Sequence, residues 1–168
     1  MKTLVIGLGN PILGDDGVGW RVAEKIRQEL DNPQSAICNL QSVEVDCVSL
    51  GGLSLMERLT GYERVILIDA ISTGKKPLGS VTIFTLDSLP DLTAGHSASA
   101  HDTSLRTALK VGRSMNLPLP QDDQVLVVAI EAQSVYDFSQ ELSPAISAAV
   151  PLAVEATLEL LRSNQEGE

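Results

Sequence analysis

The chain has 168 residues, enough for one domain to bury a core without disulfide or metal staples. Hydrophobic residues make up 43% but aromatics only 3%, so the core must be built from Val, Leu, Ile and Ala, as in a sheet covered by helices. A net charge of -10, from 22 acidic against 12 basic residues, repels phosphate backbones and anionic lipid. It argues against nucleic-acid and membrane-surface partners and favours a partner that presents a cation.

Thr3 to Leu8 is a short apolar run behind a single lysine, too short for a signal peptide and read as a first strand. Gly17 to Leu30 carries Val18, Val22, Ile26 and Leu30 at helical spacing and is expected to be an amphipathic helix. Cys38 and Cys47 form no CxxC pair and have no zinc-ligand spacing; they read as small, buried or half-buried thiols in a reducing compartment. Val43 to Val48 is a weaker strand, and Leu53 to Leu59 a short helix.

Val65 to Ile68 and Val125 to Ile130, like the first run, lack alternation, which marks strands buried on both faces of a parallel or mixed sheet. Val81 to Leu86 does alternate and follows the turn-like Gly74-Lys75-Lys76-Pro77, as expected of a strand nearer an edge and of antiparallel sense. Residues 87 to 100, rich in Ser, Ala, Gly and Pro, read as a flexible loop. His101 to Met115 is expected to be helical, with Leu105, Ala108, Leu109 and Gly112 along one side. The last helix takes Ser143 as N-cap and Pro144 as first residue, with Pro151 expected to bend it. No apolar stretch reads as a membrane span. The expectation is one cytoplasmic domain over residues 1–163, a three-layer α/β/α fold with a mostly parallel sheet, and a frayed tail over 164–168.

Gly7-Leu8-Gly9-Asn10-Pro11-Ile12-Leu13-Gly14-Asp15-Asp16-Gly17 follows a strand and opens a helix, the position of a nucleotide-binding turn. The dinucleotide fingerprint needs glycine where Ile12 stands. A phosphate loop registered on Gly9 to Gly14 puts Asp15 and Asp16 where lysine and a hydroxyl belong. Two like charges near 4 Å repel by about 4 kcal/mol at an effective dielectric of about 20, so this turn rejects phosphate and favours a cation. One of the two acids is expected to cap the helix and the other to face the crevice.

Asp16 after the first strand, Asp46 after Val43-Glu44-Val45, and Asp69 after Val65 to Ile68 each stand at the carboxyl end of a strand, where open α/β sheets bind ligands. The chain has only two histidines, His96 and His101, and the second sits at an expected helix start. Carboxylates plus one imidazole make a mixed oxygen and nitrogen donor set suited to Ni²⁺, Zn²⁺ or Co²⁺.

These residues resemble the hydrogenase maturation protease family. The likeness rests on GLGNPILGDDGVG at 7 to 19, ILIDA at 66 to 70, HDTSL at 101 to 105 and LSPAISAAVP at 142 to 151. It implies a mixed five-stranded sheet between helices and an endopeptidase of aspartyl-type carboxylate chemistry. It also implies a metal set made of Asp16, Asp69 and His101, with Asp46 as a further recurrent acid. Residues 87 to 100 do not align with the pattern, which keeps His96 as an alternative ligand. The implied substrate is the large-subunit precursor of a [NiFe] hydrogenase, whose C-terminal extension is removed after nickel insertion. The nickel is then substrate-borne, zinc or cadmium can occupy the same donors, and a monomer is implied.

Two other readings are carried beside it. Peptidyl-tRNA hydrolases begin with a similar strand and turn but have a histidine soon after it and a basic groove; here Asp15 to Val22 holds no histidine and the net charge is -10. A non-catalytic metal-binding accessory protein would hold the same precursor without shortening it.

Overall fold

Continuous apolar runs form the centre of one five-stranded sheet. Its strands are β1 (Thr3–Leu8), β2 (Val43–Val48), β3 (Arg64–Ile71), β4 (Val81–Thr85) and β5 (Val125–Glu131), in the order β2-β1-β3-β5-β4. The first four in that order run parallel, while β4 is an antiparallel edge strand on β5. The helices are α1 (Val18–Asp31), α2 (Gly52–Arg58), α3 (Ala100–Ser114) and α4 (Pro144–Ser163). The computed structural model describes residues 1–35, 37, 40, 42–88, 100–133 and 138–163, and for 100–104 the backbone alone.

Alternate residues of each strand point to opposite faces. Leu4, Ile6, Leu8, Leu67 and Val127 meet Leu55, Leu105 and Leu109 under α2 and α3. Val5, Ile66, Ile68 and Val128 meet Val22, Ile26, Ile146 and Ala153 under α1 and α4. The fold is a three-layer α/β/α arrangement, with a mixed, mostly parallel sheet in the middle.

Several expectations are corrected at their ends. The strand carrying Asp69 continues through Ala70 and Ile71, so Asp69 lies inside β3 rather than after it. Asp46 likewise lies inside β2. Leu86 leaves β4 and joins a 3-10 turn, Leu86–Ser88, where it is fully buried, so the expected loop begins with ordered turn structure. The rest of that loop, the tail 164–168 and Cys38 lie outside the described residues. Cys47 is half-buried on the α1 side, and burial pushes its thiol pKa up.

Helix α4 corrects another expectation. Among the described residues it is the one helix long and apolar enough, by length and composition, to cross a membrane. Its alanines and Pro151 hid that in the sequence. Ile146, Ala149, Ala153, Leu158 and Leu161 pack it into the core instead.

The chain leaving α3 returns to the amino-terminal edge of the sheet, where Gly61 N–H donates to the Pro118 carbonyl at 2.8 Å just ahead of β3. A 15-residue helix is about 22 Å long. From that edge α3 has the length to reach the carboxyl rim of the strands, where the first turn of the sequence also lies.

Candidate active site

The turn after β1 is shaped by what cannot fit in it. Gly9 has φ +121°, and a Cβ there would stand 1.9 Å from the Asp16 carbonyl oxygen. Only glycine lets the chain fold back so that Asp16 lies over the end of the strand. Asp16 Oδ2 then accepts the Asn10 N–H at 2.7 Å, and Asn10 Oδ1 accepts the Ile12 N–H at 3.2 Å. The 3-10 turn Gly14–Gly17 that carries Asp16 packs against β3. Behind it, Gly19 sits so close to the strand ends that a Cβ would meet the Ile68 and Leu8 carbonyls at 2.3 and 2.4 Å.

Asp69 is on that neighbouring strand and is only 2% exposed. The register of β1 with β3 ends at Gly7 opposite Ile68, which puts Asp69 level with Leu8, the last residue before Gly9. Asp69 shares a face with Leu67 and Ile71, on the α2 and α3 side. Asp69, within β3, and the turn after β1 that carries Asp16 therefore lie at one rim of the sheet. His101 is in the first turn of α3. Its side chain, and all of His96, lie outside the described residues. Among the described residues no group of three or more His, Cys, Asp or Glu side chains is gathered as a metal-ligand set.

Asp46 is placed differently. It pairs in register with Ile6, two residues short of the end of β1. Its Oδ2 accepts Arg58 Nε–H at 2.7 Å and its Oδ1 accepts the Cys47 N–H at 2.8 Å. Arg58 also binds Glu44 and Tyr62, and Tyr62 O–H donates to Glu44. Desolvation works against the Arg58 charge, but hydrogen bonds with Tyr62, Asp46 and Glu44 outweigh it and hold its pKa above the ordinary value. The same bonds from Tyr62 and Arg58 hold the Glu44 carboxyl below its usual range. Asp46 belongs to a network that ties the edge strand β2 to α2.

The expectation that one acid of the pair caps α1 is corrected. The N-cap of α1 is Gly17, with no side-chain hydrogen bond. Asp15 is buried and reaches across the molecule: its Oδ1 accepts the Ser143 N–H at 2.7 Å and its Oδ2 the Ser143 O–H at 2.8 Å. Ser143 keeps the N-cap position at the start of α4, its carbonyl accepting the Ser147 N–H. Nothing in local spacing marks a contact between residues 128 apart.

A residue passed over in the sequence is Glu131, which ends β5 and is 2% exposed. It accepts the N–H groups of Thr73 and Gly74, at 2.8 and 2.9 Å, and the Thr73 hydroxyl, fixing the loop that leaves β3. Its signal, an acid closing an apolar run, was the one that singled out Asp69.

The family model described as hydrogenase maturation protease matches residues 20–160. The hydrogenase 2 maturation protease of Escherichia coli K12 is 26% identical over 164 residues, covering 98% of this chain and 93% of that protein. The hydrogenase expression/formation protein HoxM of Cupriavidus necator is 27% identical over 160 residues, covering 95% of this chain and 73% of that protein. Among solved structures, the [NiFe] hydrogenase maturation protease HybD of Thermococcus kodakarensis superposes with a TM-score of 0.71 at 25% identity, covering 95% of this chain and 99% of that one. Neither the peptidyl-tRNA hydrolase reading nor the non-catalytic one gains support from these matches. The chain belongs to the hydrogenase maturation protease family, enzymes that hydrolyse peptide bonds.

Proposed function

We propose that the enzyme removes the C-terminal extension of a nickel-loaded [NiFe]-hydrogenase large-subunit precursor, working as a monomer in the cytoplasm. The observation that carries this reading is the placement of Asp16 and Asp69. One acid stands on a turn packed against β3 and the other is buried within β3 at the same rim.

In this reading Asp16, Asp69 and the imidazole of His101 are the ligands the enzyme offers to the nickel carried by the substrate. Oxygen and imidazole nitrogen donors suit a divalent ion of that kind. Gripping the ion fixes the precursor's tail relative to the enzyme, an orientation effect that favours attack on one peptide bond. A carboxylate of the site then takes a proton from the water that attacks the peptide carbonyl, and gives it to the departing amine nitrogen as the C–N bond breaks. Asp46, committed to Arg58, supports the rim rather than the ion. The net charge of -10 favours a partner that brings positive charge to the rim.

The test is cleavage of nickel-loaded precursor by Asp16→Asn and His101→Ala. Both variants should fold and both should lose cleavage. Full activity in the two together contradicts the assignment.

A further inference from the structure

We infer that Asp15 and Ser143 form a positioning pair that holds Asp16 in place for substrate recognition; this rests on the reading of Asp16 given above. The turn of residues 9–17 is a long excursion between β1 and α1, and its own hydrogen bonds are few: Leu13 N–H to the Asn10 carbonyl, Asp16 N–H to the Leu13 carbonyl, Ile12 N–H to Asn10 Oδ1, and Asn10 N–H to Asp16 Oδ2. From outside, the Ser49 hydroxyl donates to the Gly9 carbonyl at 2.5 Å, and the other attachments come from a more distant part of the chain. Gly14 N–H donates to the Ser139 carbonyl at 2.7 Å, and Ser139 N–H donates to the Ile12 carbonyl at 2.9 Å. Leu13 and Ser139 thereby form a small parallel bridge. One residue before Asp16, the Asp15 carboxylate takes both hydrogens that Ser143 offers.

The two attachments to residues 139–143 play different parts. The backbone bridge holds the tip of the turn whatever its side chains. The Asp15–Ser143 pair holds the segment adjoining Asp16, and it does so with a charged acceptor, whose hydrogen bonds are the stronger kind. Ser143 is itself fixed as the N-cap of α4, a helix anchored in the core by Ile146, Ala149 and Ala153. Asp16 is thus tied on one side to the end of β1 through Gly9 and Asn10, and on the other to α4 through Asp15. A carboxylate that must meet a metal ion arriving on another protein gains affinity from such prior ordering, because less freedom is lost on binding.

The experiment is steady-state cleavage of nickel-loaded precursor by the full-length enzyme, resolved into kcat and KM, with thermal unfolding of each variant alongside. Ser143→Ala deletes one of the two bonds to Asp15 and keeps the backbone one. It should raise KM by about three- to tenfold with kcat within about twofold of the parent, the pattern of lost binding rather than lost chemistry. Ser143→Thr keeps a hydroxyl and should bring KM back to within about twofold of the parent. Asp15→Ala, which removes both bonds, should raise KM further. A merely structural role would lower the folded fraction, and with it apparent kcat, while leaving KM alone. Asp16→Asn separates the two claims: if it cleaves like the parent, the reading of Asp16 fails and the pair with it. If Asp16→Asn is inactive while Ser143→Ala keeps the parent's KM, or Ser143→Thr fails to restore it, the positioning role alone is refuted.

Discussion

The carbonyl oxygen of Asp16 would lie 1.9 Å from a Cβ built on Gly9, at a residue whose φ of +121° already disfavours a side chain. The chain can therefore bring Asp16 over the end of β1 only while residue 9 is glycine. Gly9→Ala must push the turn off the strand. We expect a loss of about 2 kcal/mol or more in stability and loss of precursor cleavage in the molecules that still fold. Urea unfolding and a cleavage assay at a temperature where the variant is folded check the two parts separately.

Asp69 is buried, and its amide analogue has nearly the same shape. Asp69→Asn should keep the fold, as judged by circular dichroism, while cleavage falls at least about a hundredfold, the scale expected for a lost essential group. Cleavage near the parent's rate would take Asp69 out of the site.

Glu131 performs a structural task at the same rim. It is buried and accepts from two backbone N–H groups and one hydroxyl in the loop after β3. Replacing it by Ala leaves those donors facing a space with no acceptor. The cost should be about 1–2 kcal/mol, since hydrogen bonds to a charged acceptor are lost at donors that are only partly buried and that water reaches in part. Denaturant unfolding measures this directly, and a change below about 0.5 kcal/mol would contradict it.

The Glu44, Arg58 and Tyr62 cluster predicts a pH dependence. Hydrogen bonds from Tyr62 and then Arg58 hold the folded Glu44 carboxyl below its ordinary value of 4.5. A depressed carboxyl contributes stability that is complete above the unfolded pKa and lost as pH falls through the folded one. Stability should therefore decline below about pH 4.5, and Glu44→Gln should flatten part of that decline. The Glu44 side chain is 47% exposed, so solvent screening limits the effect to about 1 kcal/mol or less. Thermal unfolding of parent and variant from pH 3 to 7 tests the sign.

Much of the fold could be read from patterning because burial on both faces leaves an unmistakable run of apolar residues. β1, β3 and β5 lie in the interior of the sheet and show this most strongly; β2 and β4 are edge strands and show it less. Ends were harder. Asp69 looks like a stop after four aliphatic residues, yet Ala70 and Ile71 stay in register with β5, because pairing decides where a strand ends and hydropathy does not. Asp16 and Asp69 were legible as acids near strand ends, and the parallel pairing of β1 with β3 brings the turn that carries Asp16 to the rim where Asp69 lies. The cap expected from one of Asp15 and Asp16 is not formed, and Asp15 turns to Ser143 instead. Its partner lies at the far end of the sequence, and chain-distant contacts are set by tertiary packing that no local window contains.

The central claim, that the enzyme recognises its substrate through the substrate's own nickel, is tested most directly by the mass of the precursor. Large-subunit precursor is incubated with the enzyme with and without prior nickel loading, and weighed before and after. Loss of a C-terminal peptide from the loaded precursor alone is the predicted result. Equal shortening of the nickel-free precursor would contradict the claim.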